Sequence, residues 1–172
     1  SGKTGTNDIT DVKVKAGEYA LSELDGPEGY EASAWDCGPK NTVTADKVTI
    51  KAGETVTCTI TNTAKTGTVT WNKTDEGGNA LKGSVWTMTG PDGTAVKVED
   101  CTATSADGCT GPDKDPAAGK FALSSLKWGE HTLVEKSAPA GYVLDDTKHT
   151  FTVSGSTLKQ SIGSFTNKQK PQ

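Results

Sequence analysis

The sequence predicts an all-β protein of two tandem β-sandwich modules, the first of them incomplete. Three observations carry this reading. Short runs rich in Thr and Val alternate apolar and polar residues, and clusters of Gly, Pro and Asp separate them. One long motif occurs twice in the same spacing. No apolar run approaches the length of a membrane span.

The chain has 172 residues and a net charge of −4, which argues against a nucleic-acid surface. No signal peptide precedes SGKTG, so any targeting segment is expected to have been removed or to lie upstream. The four cysteines, Cys37, Cys58, Cys101 and Cys109, are an even set with local spacing. They predict two disulfides and an exported protein. Three pairings are open; Cys37–Cys58 with Cys101–Cys109, one in each half, is favoured. Zinc is disfavoured, because no CxxC spacing exists and the two histidines stand apart from the cysteines.

The repeat divides the chain. GEYALSELDGPEGY (Gly17–Tyr30) and GEHTLVEKSAPAGY (Gly129–Tyr142) both read G-E-x-x-L-x-E-x-x-x-P-x-G-Y. Each copy closes alike, with VTCTITN (Val56–Asn62) in the first and GSFTN (Gly163–Asn167) in the second. The expected boundaries are 1–63 for the first module, 64–67 for a linker, 68–168 for the second module and 169–172 for a tail. A module of about one hundred residues suits a β-sandwich. The first copy is shorter and has no counterpart of VTWNKTD, so its opening strands are expected to be missing.

In the second copy, strands are predicted over 68–74, 84–89, 95–98, 120–124, 130–135, 149–153 and 160–166. Turns fall at DEGGN (75–79), GPDG (90–93), GPDKDPAAG (111–119) and APAG (138–141). Asp100–Gly119 reads as a long surface loop, and a Cys101–Cys109 bond would pin it.

Three polar residues fall at core-facing positions of these strands. Lys73 follows Val69 and Trp71 at two-residue steps, Glu135 follows Leu133, and Asn167 follows Phe165. Buried and unpaired, each would be costly, so they are expected to meet. Burial favours a neutral Lys73 amine and a protonated Glu135 carboxyl. Such an amine attacks a carboxamide, and such an acid polarises the amide oxygen of Asn167 and relays protons as ammonia leaves. In the first copy Glu23 and Asn62 take the equivalent places. Tyr19, Leu21 and Glu23 share a face, which predicts a buried Glu23. No lysine partner is identifiable there; Lys13 and Lys15 lie in the segment feeding the glutamate strand.

The second copy resembles the CnaB-type (SpaA-like) domains of Gram-positive pilins and surface adhesins. The resemblance rests on VTWNKTD, GSVWTMTGPDG, GKFALSSLKWGEHTLVEKSAPAGY and SFTN, in the family's order, and covers nearly all of 68–168. The first copy is similar to prealbumin-like domains of actinobacterial wall proteins, through GEYALSELDGPEGY, AWDC and TCTITN. The resemblance implies Ig-like sandwiches and a spontaneous Lys73–Asn167 isopeptide bond with Glu135 as its catalytic acid. It implies a stalk or shaft segment of a wall-anchored pilin or adhesin, at the cell-wall surface of a Gram-positive bacterium. Its partners would be other domains of the same fibre and host surface or matrix molecules. No cofactor, metal or turnover enzyme activity is implied.

Other chemistry is weaker. His131 and His149 lack a nucleophile motif, and His131 reads as an ordinary strand residue in phase with Leu133 and Glu135. Asp107, Asp113 and Asp115 fit no calcium loop and read as solvated loop carboxylates. Trp35, Trp71, Trp86 and Trp128 read as packing residues. Lys40, in CGPKN, reads as a surface lysine. The alternative function is a ligand-binding adhesin module that uses the 100–119 loop; a second is an accessory domain of a secreted enzyme.

Overall fold

A computed structural model describes residues 1–3 and 8–171 of the chain. Residues 4–7 of the expected first module and 172 of the expected tail lie outside them. The described chain is all-β, apart from one 3-10 turn at Ala106–Gly108. It divides into two compact units, Ser1–Thr63 and Ala64–Gln172.

The first unit is built from short strands. β1 (Gly17–Ala20) pairs antiparallel with β3 (Lys47–Ile50), and β2 (Tyr30–Ala32) pairs with β4 (Asn62–Ala64). Cys37–Cys58 is a disulfide, and the Asp36↔Thr59 bridge beside it ties the two segments together. Among the described residues of this unit, Cys37 and Val48 are the buried hydrophobic ones. Along VTCTITN, Val56, Cys58, Ile60 and Asn62 are half-buried and the residues between them are exposed, as alternation predicts.

The second unit has seven strands, all within two residues of their predicted bounds. β6 (Val85–Thr89), β7 (Ala95–Glu99), β9 (Gly129–Ser137) and β10 (His149–Val153) form an antiparallel sheet in the order β10-β9-β6-β7. β5 (Gly67–Thr74), β8 (Lys120–Leu126) and β11 (Lys159–Thr166) form a second sheet in the order β11-β5-β8. Here β8 is antiparallel to β5, and β11 is parallel to it.

Inward residues of both sheets share one core. Val69, Trp71, Phe121 and Leu123 come from one sheet; Trp86, Met88, Leu133 and Phe151 come from the other. Trp71 stacks on Phe121 at 4.7 Å between ring centroids, and Trp86 meets Trp71 edge-on at 5.9 Å. Such aromatic contacts add specific geometry to a large buried area.

A bulge in β11 sets the phase of the last strand. Ser161 pairs with Thr70 and Ser164 with Asn72, so β11 carries one residue more than β5 between these pairs. Gly163 supplies it at φ 87°, a conformation that glycine adopts without a Cβ penalty. Before the bulge Gln160 and Ile162 turn inward; after it Phe165 and Asn167 do.

Asp100–Gly119 is only partly the surface loop expected. The Cys101–Cys109 disulfide pins it, as expected. Asp113, however, is fully buried. Its carboxylate accepts the backbone N–H groups of Cys101, Asp115 and Ala122 at 2.9, 3.1 and 2.9 Å. The loop's own amide donors need an acceptor, and Asp113 supplies it. Burial is the main influence that pushes its carboxyl above the ordinary aspartate range. The solvated reading of Asp113 is therefore corrected, while Asp107 and its neighbours in the 3-10 turn are exposed.

Candidate functional site

Lys73, Glu135 and Asn167 meet in the core of the second unit. Lys73 is the last inward residue of β5, two steps beyond Trp71. Its strand is held there from the far side: Lys73 N–H donates to Gly119 O at 2.7 Å, and Leu81 N–H donates to Lys73 O at 2.9 Å. Gly119, at φ 71°, leaves no room for a side chain, since a Cβ would lie 2.8 Å from Leu81 O and 3.0 Å from Lys73 O. Glu135 lies opposite Trp86 in the β6–β9 register. Asn167 follows β11 directly, and its N–H donates to Thr74 O at 3.0 Å, which extends the parallel ladder by one bond.

The three side chains are 1%, 0% and 1% exposed in the order Lys73, Glu135, Asn167. Lys73 Nζ lies 3.2 Å from Glu135 Oε1. Asn167 Nδ2 donates to Glu135 Oε2 at 2.8 Å and to Val143 O at 2.7 Å. One carboxyl group thus touches the amine with one oxygen and the amide with the other. Lys73 Nζ also stands over the Trp86 ring, 5.2 Å from its centroid, which supports a cationic form of the amine.

Burial pulls the Lys73 amine below the ordinary lysine range, and the charges of Glu135 and Asp145 oppose that fall. The amide has a defined orientation. Val143 O can only accept, so the group facing it is the amide nitrogen. Asn167 Oδ1 has no hydrogen-bond partner among the described residues. Glu135 therefore addresses the nitrogen of Asn167, not the oxygen that the sequence reading had it polarise. In this arrangement Oε2 accepts the amide N–H, and Oε1 faces the amine that can supply a proton.

Two groups at this site were not singled out from the sequence. Val143 contributes its carbonyl, and Asp145 donates its N–H to Glu135 Oε2 at 3.3 Å. The signal was the Asp-x-Thr spacing of Asp145 and Thr147, which favours a tight side-chain-capped turn. Thr147 N and Oγ1 both donate to Asp145 Oδ1, at 3.1 and 2.5 Å. These bonds, and then the nearby charges of Lys73 and His149, hold the Asp145 carboxyl below its ordinary range. A cleft of about 250 Å³ opens beside this segment, lined by Val143, Leu144, Asp145, Asp146, Thr166 and Lys168.

The first unit brings its own pair together. Asn62 Nδ2 donates to Glu23 Oε1 at 2.7 Å. The expected burial of Glu23 is not found: it is exposed, because β1 ends at Ala20 and the chain turns away at Asp25, φ 53°. Lys13 and Lys15 are exposed, and neither forms an ion pair with Glu23 among the described residues.

The remaining candidates do not join the trio. His131 is a buried strand residue that stacks on Phe151, with Nε2 2.8 Å from Lys127 O; His149 packs on Phe165. Trp71 and Trp86 are core residues, Trp35 and Trp128 are half-buried, and Lys40 is exposed. Among the described residues no group of three or more His, Cys, Asp or Glu is placed to hold a metal ion. No helix among them is long and apolar enough to cross a membrane.

Comparison with known families agrees with the all-β fold. A SpaA family model described as a prealbumin-like fold domain matches residues 67–168, and a second model of the same description matches 1–60. The chain belongs to the SpaA family of prealbumin-like fold domains. Among solved structures it is similar to the major pilin subunit of Bacillus cereus, at 28% identity and a TM-score of 0.47, over 62% of this chain and 29% of that one. It is also similar to the pilus 2b backbone protein of group B streptococcus, at 17% identity and a TM-score of 0.46, over 90% and 53%. A minor pilin of Streptococcus agalactiae aligns at 18% identity and a TM-score of 0.44, over 86% and 63%. The chain thus spans less than two thirds of the length of each of these structures. No curated protein matches it significantly.

Proposed function

We propose that this chain is a structural segment of a pilin-like surface fibre whose second SpaA domain is locked by an isopeptide bond between Lys73 and Asn167. The observation that carries the reading is the buried carboxyl of Glu135, which contacts the amine and the amide together. Lys73 passes a proton to Glu135, and its neutral Nζ attacks Cγ of Asn167. Nζ then loses a further proton, Nδ2 gains one through Glu135, the Cγ–Nδ2 bond breaks, and ammonia leaves. The second SpaA domain makes the bond once, so the chain has a maturation step and no turnover activity. Preorganisation in a dry core replaces an enzyme.

The same reading makes the chain extracellular, on the wall of a Gram-positive cell, with domains of the same fibre as neighbours and host surface or matrix molecules as contacts. Residues 65 and 66, between the end of β4 and the start of β5, join the two modules, inside the expected 64–67 linker. Glu23 and Asn62 are the acid and amide of the first module, which lacks an assigned lysine. The two family matches and the trio support the shaft role; no observation favours the 100–119 loop as a ligand site.

Intact mass of the reduced protein tests the proposal. The expected result is a deficit of one ammonia, abolished by Glu135→Ala, with a branched peptide joining the Lys73 and Asn167 fragments after digestion. A mass equal to that of the plain sequence would sink it.

A further inference from the structure

The exposed segment at residues 143–147 lies beside the buried trio and hydrogen-bonds to it through the backbone. Val143 O accepts Asn167 Nδ2, and Asp145 N–H donates to Glu135 Oε2. The segment is anchored at both ends. On one side Val143 N–H donates to Lys168 O at 2.8 Å, and Lys170 N–H donates to Gly141 O at 2.9 Å. On the other, Thr147 closes the turn on the Asp145 carboxylate with two bonds. Yet the side chains of Val143, Asp145 and Thr147 face solvent. Five consecutive residues thus aim two backbone groups at reacting atoms while burying no side chain of their own.

The Val143 carbonyl decides which end of the amide meets the acid. With the amide turned over, Oδ1 would face Val143 O, an acceptor against an acceptor, and Nδ2 would lose both its partners. The leaving nitrogen would then be remote from Glu135. The Asp145 N–H restrains Glu135 Oε2, the oxygen that serves Nδ2.

We propose that the 143–147 segment is a positioning clasp for the Lys73–Asn167 crosslink, held in register by the Asp145–Thr147 turn. This rests on the crosslinking reading above. Thr147 is a positioning residue: it touches none of the reacting groups and acts through Asp145 and the backbone. The reaction is the one already balanced, in which a C–N bond forms at Nζ, a C–N bond breaks at Nδ2, and the clasp contributes no atom to the products.

Because Thr147 is exposed, its substitution should leave folding nearly unchanged, and the crosslinking rate becomes the clean readout. The full chain is made by cell-free translation, quenched in acid denaturant at intervals and weighed. Thr147→Val removes the shorter of the two turn bonds and is expected to slow ammonia loss about tenfold, since small misplacements of reacting groups are costly. Thr147→Ser keeps the hydroxyl and is expected to restore the parental rate, which a merely packed methyl would not do. Near-UV circular dichroism checks that both variants fold. Thr147→Val reacting at the parental rate would overturn the clasp and leave the crosslink standing. No ammonia loss in the parent chain would overturn both.

Discussion

A crosslink between Lys73 and Asn167 would change what happens when the second domain is pulled from its ends. β5 leads into the domain and β11 leads out of it, and the two lie side by side in parallel. Tension entering at Gly67 would run along β5 to Lys73, cross to Asn167 and leave, so everything between those residues would be out of the path. The hidden segment spans 167 − 73 = 94 peptide steps. At about 3.3–3.6 Å per residue this is roughly 310–340 Å of chain that cannot be extended. The Cys101–Cys109 disulfide removes 8 steps from the extensible part while it is oxidised. The released length then becomes roughly 280–310 Å. The assay is single-molecule stretching of the parent and of Lys73→Met with Glu135→Gln, which removes the amine and the buried charges together. The first unit contributes the same extension to both chains, so the difference isolates the crosslink. The double variant is expected to show an added step of roughly 280–310 Å, rising to roughly 310–340 Å with reductant. A parent chain of crosslinked mass that still shows the step would refute the force-path argument.

Two further outcomes follow from the same geometry. The crosslink closes a loop of about 95 residues, which by chain entropy stabilises the second domain by about 4.7 kcal/mol; calorimetry should therefore show its Tm falling by roughly 20–40 °C in the double variant, and a change of only a few degrees would count against the entropic account. Asp113→Ala would leave the N–H groups of Cys101, Asp115 and Ala122 without their acceptor, at a cost of about 3 kcal/mol read from urea unfolding; unchanged stability would show that water or another group replaces the carboxylate.

Much of the second domain was legible because each strand alternates cleanly and each turn carries Gly, Pro or Asp. The trio was legible for the same reason: a polar residue in phase with Trp71, Leu133 or Phe165 has to be explained. The phase slip at Gly163 was not legible. Ile162 and Phe165 are three residues apart and cannot share a face on a regular strand, and only the register against β5 shows where the extra residue goes. Asp113 was missed because a loop rich in Gly, Asp and Pro reads as solvated. Its burial is set by three backbone donors that no pattern of side chains announces. The clasp was missed because it acts through Val143 O and Asp145 N, groups that every residue has.

The two acid–amide pairs show what the repeated motif encodes and what it leaves to the surroundings. Glu23 and Asn62 lie 39 residues apart against 32 for Glu135 and Asn167, yet they keep the hydrogen bond, at 2.7 Å against 2.8 Å. The shared plan of motif and closing strand brings a carboxyl to a carboxamide. It does not suffice to desolvate them. Around Glu135 the work is done by Trp86 opposite it, by the bulge that turns Asn167 inward, and by a lysine on the facing sheet. Around Glu23 the strand has ended and the side chain is exposed. A carboxylate in water has no reason to take a proton from a lysine, and an amine in water stays an ammonium ion at neutral pH. The difference in chemistry expected of the two pairs thus lies in burial, which the pair's own sequence does not set.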